Sequence, residues 1–148
     1  NNPIRAAGIL IITTDMYGRE LYLLNHCNGK YEDIGGKTDA VDHSAADTAV
    51  RECCEECNYN LFGIERSSDC KEMLYQHLFN CRTQEIYNRQ SKYLLFKVYV
   101  DPTILNLNMK RFKLTEKVEW GVLNHYFQWK LRIPTKLHPR LLTIKNFL

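Results

Sequence analysis

No stretch of this 148-residue chain approaches the roughly 18 consecutive apolar residues of a membrane-spanning helix, so no membrane partner is expected. Its first residues, Asn1-Asn2-Pro3, lack the cationic start and apolar run of a secretory signal. A cytoplasmic, reducing setting is therefore the expectation for its six cysteines. No repeat, linker or low-complexity segment divides the chain, and residues 1–148 are expected to form a single domain. Cys54-x-x-Cys57 has no second Cys-x-x-Cys and no His pair at zinc-ribbon spacing to complete it. Carboxylates are scarce late in the chain: after Asp101 only Glu116 and Glu119 remain.

What is present is an ordinary globular composition, 45% hydrophobic and 25% charged, with an uneven distribution of charge. Residues 1–88 carry 8 Lys and Arg against 14 Asp and Glu, a net of −6. Residues 89–148 carry 12 against 3, a net of +9. The acidic part suits a cation, and the basic part suits phosphates, nucleic acid or simply water.

Patterning predicts an α/β protein. Ala6–Thr13 and Glu20–Asn25 read as the strands of a hairpin turned at Asp15-Met16-Tyr17-Gly18. Tyr31–Ile34 is a short strand leading to Gly35-Gly36. Lys92–Val100 is the clearest strand, stopped by Asp101-Pro102. Asn60–Arg66 and Lys117–Leu123 are further strand candidates, and Asp69–Asn80 has mixed periodicity. His138–Ile144 reads as a helix with proline in its first turn.

The stretch from Gly35 to Tyr59 is chemically the densest. Ser44 followed by Asp47 marks a helix start. Ala46, Ala49, Val50, Cys53 and Cys57 then form an apolar stripe, and Asn58 stands where a left-handed C-cap is expected. Cys53 and Cys57 on that stripe favour core packing, with a metal or disulfide role as the alternative. Glu52, Glu55 and Glu56, at i, i+3 and i+4, crowd another surface. Arg51 pairs with Glu55 at i+4 but cannot neutralise all three, whereas a divalent cation can. Oxygen-only ligands select a hard ion, Mg²⁺ first and Mn²⁺ second. A merely solvated acidic face is the alternative.

These residues resemble the Nudix box, Gly-x5-Glu-x7-Arg-Glu-U-x-Glu-Glu-x-Gly-U with U apolar. Gly36 opens it, and Arg51, Glu52, Cys53, Glu55 and Glu56 match its helical half. Asn58 replaces the last glycine and Tyr59 is the closing apolar residue. Counting forward from Gly36, Asp42 takes the place of the first glutamate, with eight residues before Arg51 instead of seven. Counting back from Arg51 lands on His43, with Lys37 in place of the glycine. The first register, with one residue inserted in the loop, is preferred because loops absorb insertions. Glu116, Glu119 and Trp120 near a late strand also resemble the family.

The resemblance implies an α/β/α sandwich around a mixed sheet, and hydrolysis of a nucleoside diphosphate linked to another group. The substrate would be a nucleotide, a dinucleoside polyphosphate, a nucleotide sugar or an mRNA cap. Metal ligands would be Glu52, Glu55, Glu56 and the Gly36 carbonyl. Arg51 would orient the glutamates, with Asp42 supporting it. The general base would be a box glutamate, Glu116 or Glu119, although Glu119 beside Trp120 also suits a structural role. Lys110, Arg111 and Lys113 could grip polyphosphate or RNA, or be solvated. His43 near the helix start reads more simply as a surface residue than as a phosphate ligand. Trp120 and Trp129 read more simply as core than as base-stacking groups. The reading from a different class is a catalytically silent module that binds nucleotide, RNA or a protein partner.

Overall fold

A computed structural model describes residues 3–57, 61, 67–107 and 125–148. Ala6–Thr14 (β1) is apolar along nearly its whole length because both of its faces are covered. Ile9 and Ile11 enter one core, while Leu10 and Ile12 enter another on the opposite side. Glu20–Cys27 (β2) returns antiparallel to it, with Ile11 opposite Leu23. The turn is set by Asp15, whose Oδ1 accepts from Tyr17 N and Arg19 N, and by Gly18 at φ +76°.

A second hairpin follows, which the patterning did not anticipate. Asn28 and Gly29 both have positive φ, 51° and 79°, and turn β2 into Lys30–Glu32 (β3). Asp33 interrupts the expected Tyr31–Ile34 strand. Ile34–Lys37 (β4) leaves β2 and pairs instead with the first half of β1, Ala7 opposite Gly36. One edge of β1 is thus shared between β4 and β2, and Tyr93–Tyr99 (β6) lies parallel along its other edge. Gln84–Asn88 (β5) pairs with β6, and His125–Lys130 (β7) pairs with β2. The seven described strands form one mixed sheet.

Ala45–Glu56 (α1) lies on one face of this sheet with Ser67–Leu78 (α2). Ser44 caps α1 as expected, its Oγ accepting from Asp47 N at 3.1 Å. Ala49, Val50, Cys53, Cys54 and Cys57 are all fully or almost fully buried beneath it. On the other face lie Leu137, Leu141 and Ile144 from the C-terminal segment. The architecture is therefore α/β, with a mixed sheet between helical layers.

The expected C-terminal helix is shorter than its pattern. His138 caps it, Pro139–Leu142 (α3) is helical, and Lys145–Phe147 is a separate 3₁₀ turn. Asp69–Asn80, ambiguous by periodicity, is mostly within α2. The strand candidates at 60–66 and 117–123, and the Asn58 cap, lie outside the described residues apart from Leu61, which is in a turn. Among the described residues no helix is long and apolar enough to cross a membrane.

Candidate metal and active site

Arg51 is the hub of the site. Its Nε donates to Asp42 Oδ1 at 3.0 Å and its Nη2 to Asp42 Oδ2 at 2.9 Å. Nη2 also reaches the Lys37 carbonyl at 2.9 Å. Nη1 faces the helix glutamates, with Glu52 Oε1 at 3.0 Å and Glu55 Oε2 at 3.5 Å. One guanidinium thus ties the loop after β4 to the first glutamate of the helical triad. A planar fork of donors is what makes this possible; a lysine could not do it.

Asp42 is built to receive that fork. Its side chain is 3% exposed, and its Oδ2 also accepts from Thr48 Oγ1 at 2.9 Å. The Arg51 hydrogen bonds lower its pKa from 3.8 to about 2, against the opposing effect of burial. The same bonds raise the pKa of Arg51. Asp42 therefore occupies the supporting position that the preferred loop register assigned to it. His43 instead gives its backbone N–H to Asp47 Oδ2 at 2.9 Å.

Gly36 lies directly under Glu52. A Cβ on Gly36 would fall 2.5 Å from Glu52 Cδ, so the missing side chain is the space the carboxylate occupies. This brings a backbone strand and a helix carboxylate together across the interface between β4 and α1. Glu52 is 14% exposed at its side chain and Glu55 44%. Glu56 departs from the expected solvent-facing acidic surface, because both its carboxylate oxygens are buried.

Glu56 lies within electrostatic reach of a buried polar cluster that sequence reasoning missed. Arg140 Nε donates to Asp33 Oδ1 at 2.9 Å, and its Nη2 donates to the Asp33 carbonyl at 3.1 Å. Glu32 lies 3.8 Å from Arg140, and the guanidinium stacks over the Tyr93 ring at 4.7 Å. Tyr93 donates its phenol to Asp33 Oδ2. Burial works against the charge on Arg140, but Asp33, Tyr93, Glu32 and Glu56 more than offset it, and its pKa is raised. The only sequence signal was an aspartate breaking an otherwise strand-like run before two glycines. Its arginine partner is 107 residues away.

The donor set suits a hard cation. Glu52, Glu55 and the Gly36 backbone offer oxygen alone, and Glu56 lies one helical turn beyond Glu52. Among the described residues no three His, Cys, Asp or Glu side chains are already gathered around one point. Arg51 engages the helix carboxylates through one oxygen each, Glu52 Oε1 and Glu55 Oε2.

The remaining candidates separate clearly. Lys110, Arg111, Lys113, Glu116, Glu119 and Trp120 lie outside the described residues. Trp129 packs against the core beneath α1. All six cysteines are free thiols. Cys54 and Cys70 meet at 3.5 Å across the α1–α2 contact, and Cys53, Cys54 and Cys57 belong to the core. The hydrogen bond with the Cys57 thiol, and then burial, raise the pKa of Cys53 well above its usual value, so it packs as a neutral group.

No family model matches the chain, and no curated protein matches its sequence. Among solved structures it is similar to that of a Nudix hydrolase from M. smegmatis, RenU, with 15% identity and a TM-score of 0.47. That similarity covers 97% of this chain and 85% of the other.

Proposed function

We propose that the chain is a Mg²⁺-dependent hydrolase of nucleoside diphosphates linked to another group. Such substrates include nucleotides, dinucleoside polyphosphates, nucleotide sugars and the mRNA cap. The observation that carries this reading is the chain of contacts from Asp42 through Arg51 to Glu52, with Glu52 seated on the backbone of Gly36. A solvated acidic helix face has no need of a buried aspartate that fixes the arginine beside its carboxylates.

In this reading Glu52, Glu55, Glu56 and the Gly36 carbonyl hold the cation, for which Mn²⁺ is the alternative. The bound ion supplies charge neutralisation at the diphosphate and lowers the pKa of an adjacent water. Arg51 keeps Glu52 and Glu55 oriented and screens their mutual repulsion. Glu55, the most accessible of the three, receives the proton of the attacking water at its carboxylate. As the water oxygen bonds to phosphorus, the bridging P–O bond breaks and the second phosphate leaves still attached to its own substituent.

A silent binding module is the competing reading, favoured by one observation: Arg51 already occupies Glu52 and Glu55 in the described geometry. The two are separated by release of a nucleoside monophosphate across a panel of nucleotides, dinucleoside polyphosphates and nucleotide sugars with and without Mg²⁺, alongside calorimetric titration of Mg²⁺ itself. Release that needs the metal and disappears in Glu55→Gln supports the hydrolase. Neither turnover nor metal binding supports the silent module.

A further inference from the structure

The face of the sheet remote from α1 carries a second constellation. Side chains alternate along β7, so Phe127 and Trp129 enter the core beneath α1 while Tyr126 and Lys130 point the other way. Tyr126 lies opposite His26 on β2, and their rings stack at 4.7 Å with 24° between planes. His26 in turn meets the edge of Tyr31 at 4.7 Å. Lys130 Nζ sits 4.9 Å over the Tyr31 ring. These rings lie at one end of the core formed by Leu24, Leu137 and Leu141, and Tyr126 remains 44% exposed.

The charge around these rings is predominantly positive. Arg132 and Lys136 lie exposed in the chain that leaves β7 and returns to β3, where Tyr31 N donates to the Lys136 carbonyl at 2.7 Å. No Asp or Glu occurs anywhere in residues 120–148. Glu32, the carboxylate of β3, alternates away from Tyr31 and accepts from Asn25 at 3.1 Å. Glu20 stands on the same face two residues from Tyr22, the partner of Lys130 in register, and accepts from the Tyr22 hydroxyl at 3.3 Å. It offsets part of the positive charge at that end, about 20 Å from His26.

We propose that this face, where His26, Tyr31 and Tyr126 cluster beside Lys130, Arg132 and Lys136, binds single-stranded nucleic acid. Tyr126, the exposed ring of the cluster and backed by His26, gives a base a surface to stack on, and flanking cations follow the phosphates. A duplex keeps its ring faces inside, so it can use only the cations. An anionic membrane surface would likewise use the cations and not the ring stack. The site is on the opposite side of the sheet from Glu52 and Glu55, so strand binding and hydrolysis are separable.

The test is fluorescence anisotropy of a labelled short oligouridylate with the full chain, from about 50 mM to about 200 mM salt. Glu55→Gln should bind the strand as the unaltered protein does, whatever becomes of hydrolysis. Tyr126→Ala should weaken binding about tenfold at every salt concentration, leaving the salt slope unchanged. Lys130→Gln, Arg132→Gln and Lys136→Gln together should reduce the logarithmic salt slope by about 2. Circular dichroism and melting establish that each variant is folded, and Tyr126→Phe, which keeps the ring, should bind normally. The proposal is overturned if no strand binds at the lowest salt, or if the folded variants bind unchanged. It is also overturned if a duplex binds as tightly, or if anionic phospholipid vesicles bind and the strand does not.

Discussion

Asp42 and Arg51 meet as a two-pronged pair, Oδ1 on Nε and Oδ2 on Nη2, across nine positions of sequence and the boundary between loop and helix. The pair makes Arg51 a fixed strut. On the proposed hydrolase reading, Asp42→Ala should therefore lower turnover by about ten- to a hundredfold, the usual cost of losing a group that orients a ligand. His43→Ala should do little, since only its backbone enters the network. Steady-state kinetics at saturating Mg²⁺ checks both; a damaging His43→Ala beside a harmless Asp42→Ala would contradict the assignment.

The same pair predicts a pH dependence. Asp42 has its pKa depressed to about 2 in the folded chain from 3.8. A depressed carboxylate stabilises the fold above its unfolded pKa, and that contribution is lost as pH falls through the folded value. About 2 kcal/mol should thus disappear between roughly pH 4 and pH 2. Urea titrations across that window should show a shallower acid dependence in Asp42→Asn than in the unaltered chain.

Adjacent glycines should answer differently to alanine. A methyl at Gly36 meets the far end of the flexible Glu52 side chain. Gly36→Ala should leave the melting temperature within a few degrees while displacing the carboxylate and weakening Mg²⁺ binding. A methyl at Gly35 meets the Ala7 carbonyl, the Gly8 backbone and the Tyr93 hydroxyl. Gly35→Ala should destabilise by at least about 1–3 kcal/mol, as overpacking does. Melting and metal titration of both variants would expose the error if their effects were alike.

Carboxylate substitutions on α1 should also divide. Glu55→Gln alters an exposed group and should abolish most turnover without affecting the fold. Glu56→Gln changes a buried carboxylate near the Arg140 cluster, so it should lower stability as well as activity. Equal melting temperatures for the two variants would argue against that division.

Arg140→Met should cost about 3–5 kcal/mol, because it leaves Asp33 buried without its cation. Arg140→Met combined with Asp33→Asn should recover part of the loss. A double-mutant cycle by urea unfolding measures the coupling directly.

Sequence and structure agree where the controlling interactions are local. Ser44, Asp47 and the apolar stripe from Ala49 to Cys57 were enough to place α1, because capping and periodicity act within a few residues. The apolar run of β1 and the turn at Gly18 were legible for the same reason. The Asp42–Arg51 pair was reachable only through the family resemblance, by counting across an inserted residue. Asn28-Gly29 is a local turn signal, and its turn starts β3 one residue before the expected strand. β5 had no comparable signal: Gln84, Glu85 and Asn88 give it little apolar alternation, and pairing with β6 makes it a strand. Asp33 and Arg140 are invisible to any local rule, since each finds its reason in a partner from the other end of the chain.

The placement of β1 also bears on how the chain is made. Its longest pairing, Ala6 to Ile12 with Tyr93 to Tyr99, joins segments separated by 87 residues. A ribosome adding about 5–20 residues per second would release β1 several seconds before its parallel partner exists. During that interval β1 can fold back only on β2 and β4, leaving an apolar strand with one raw edge. Nascent chains stalled before Tyr93 should therefore be the aggregation-prone species, and those extended past Tyr99 should acquire protease resistance abruptly.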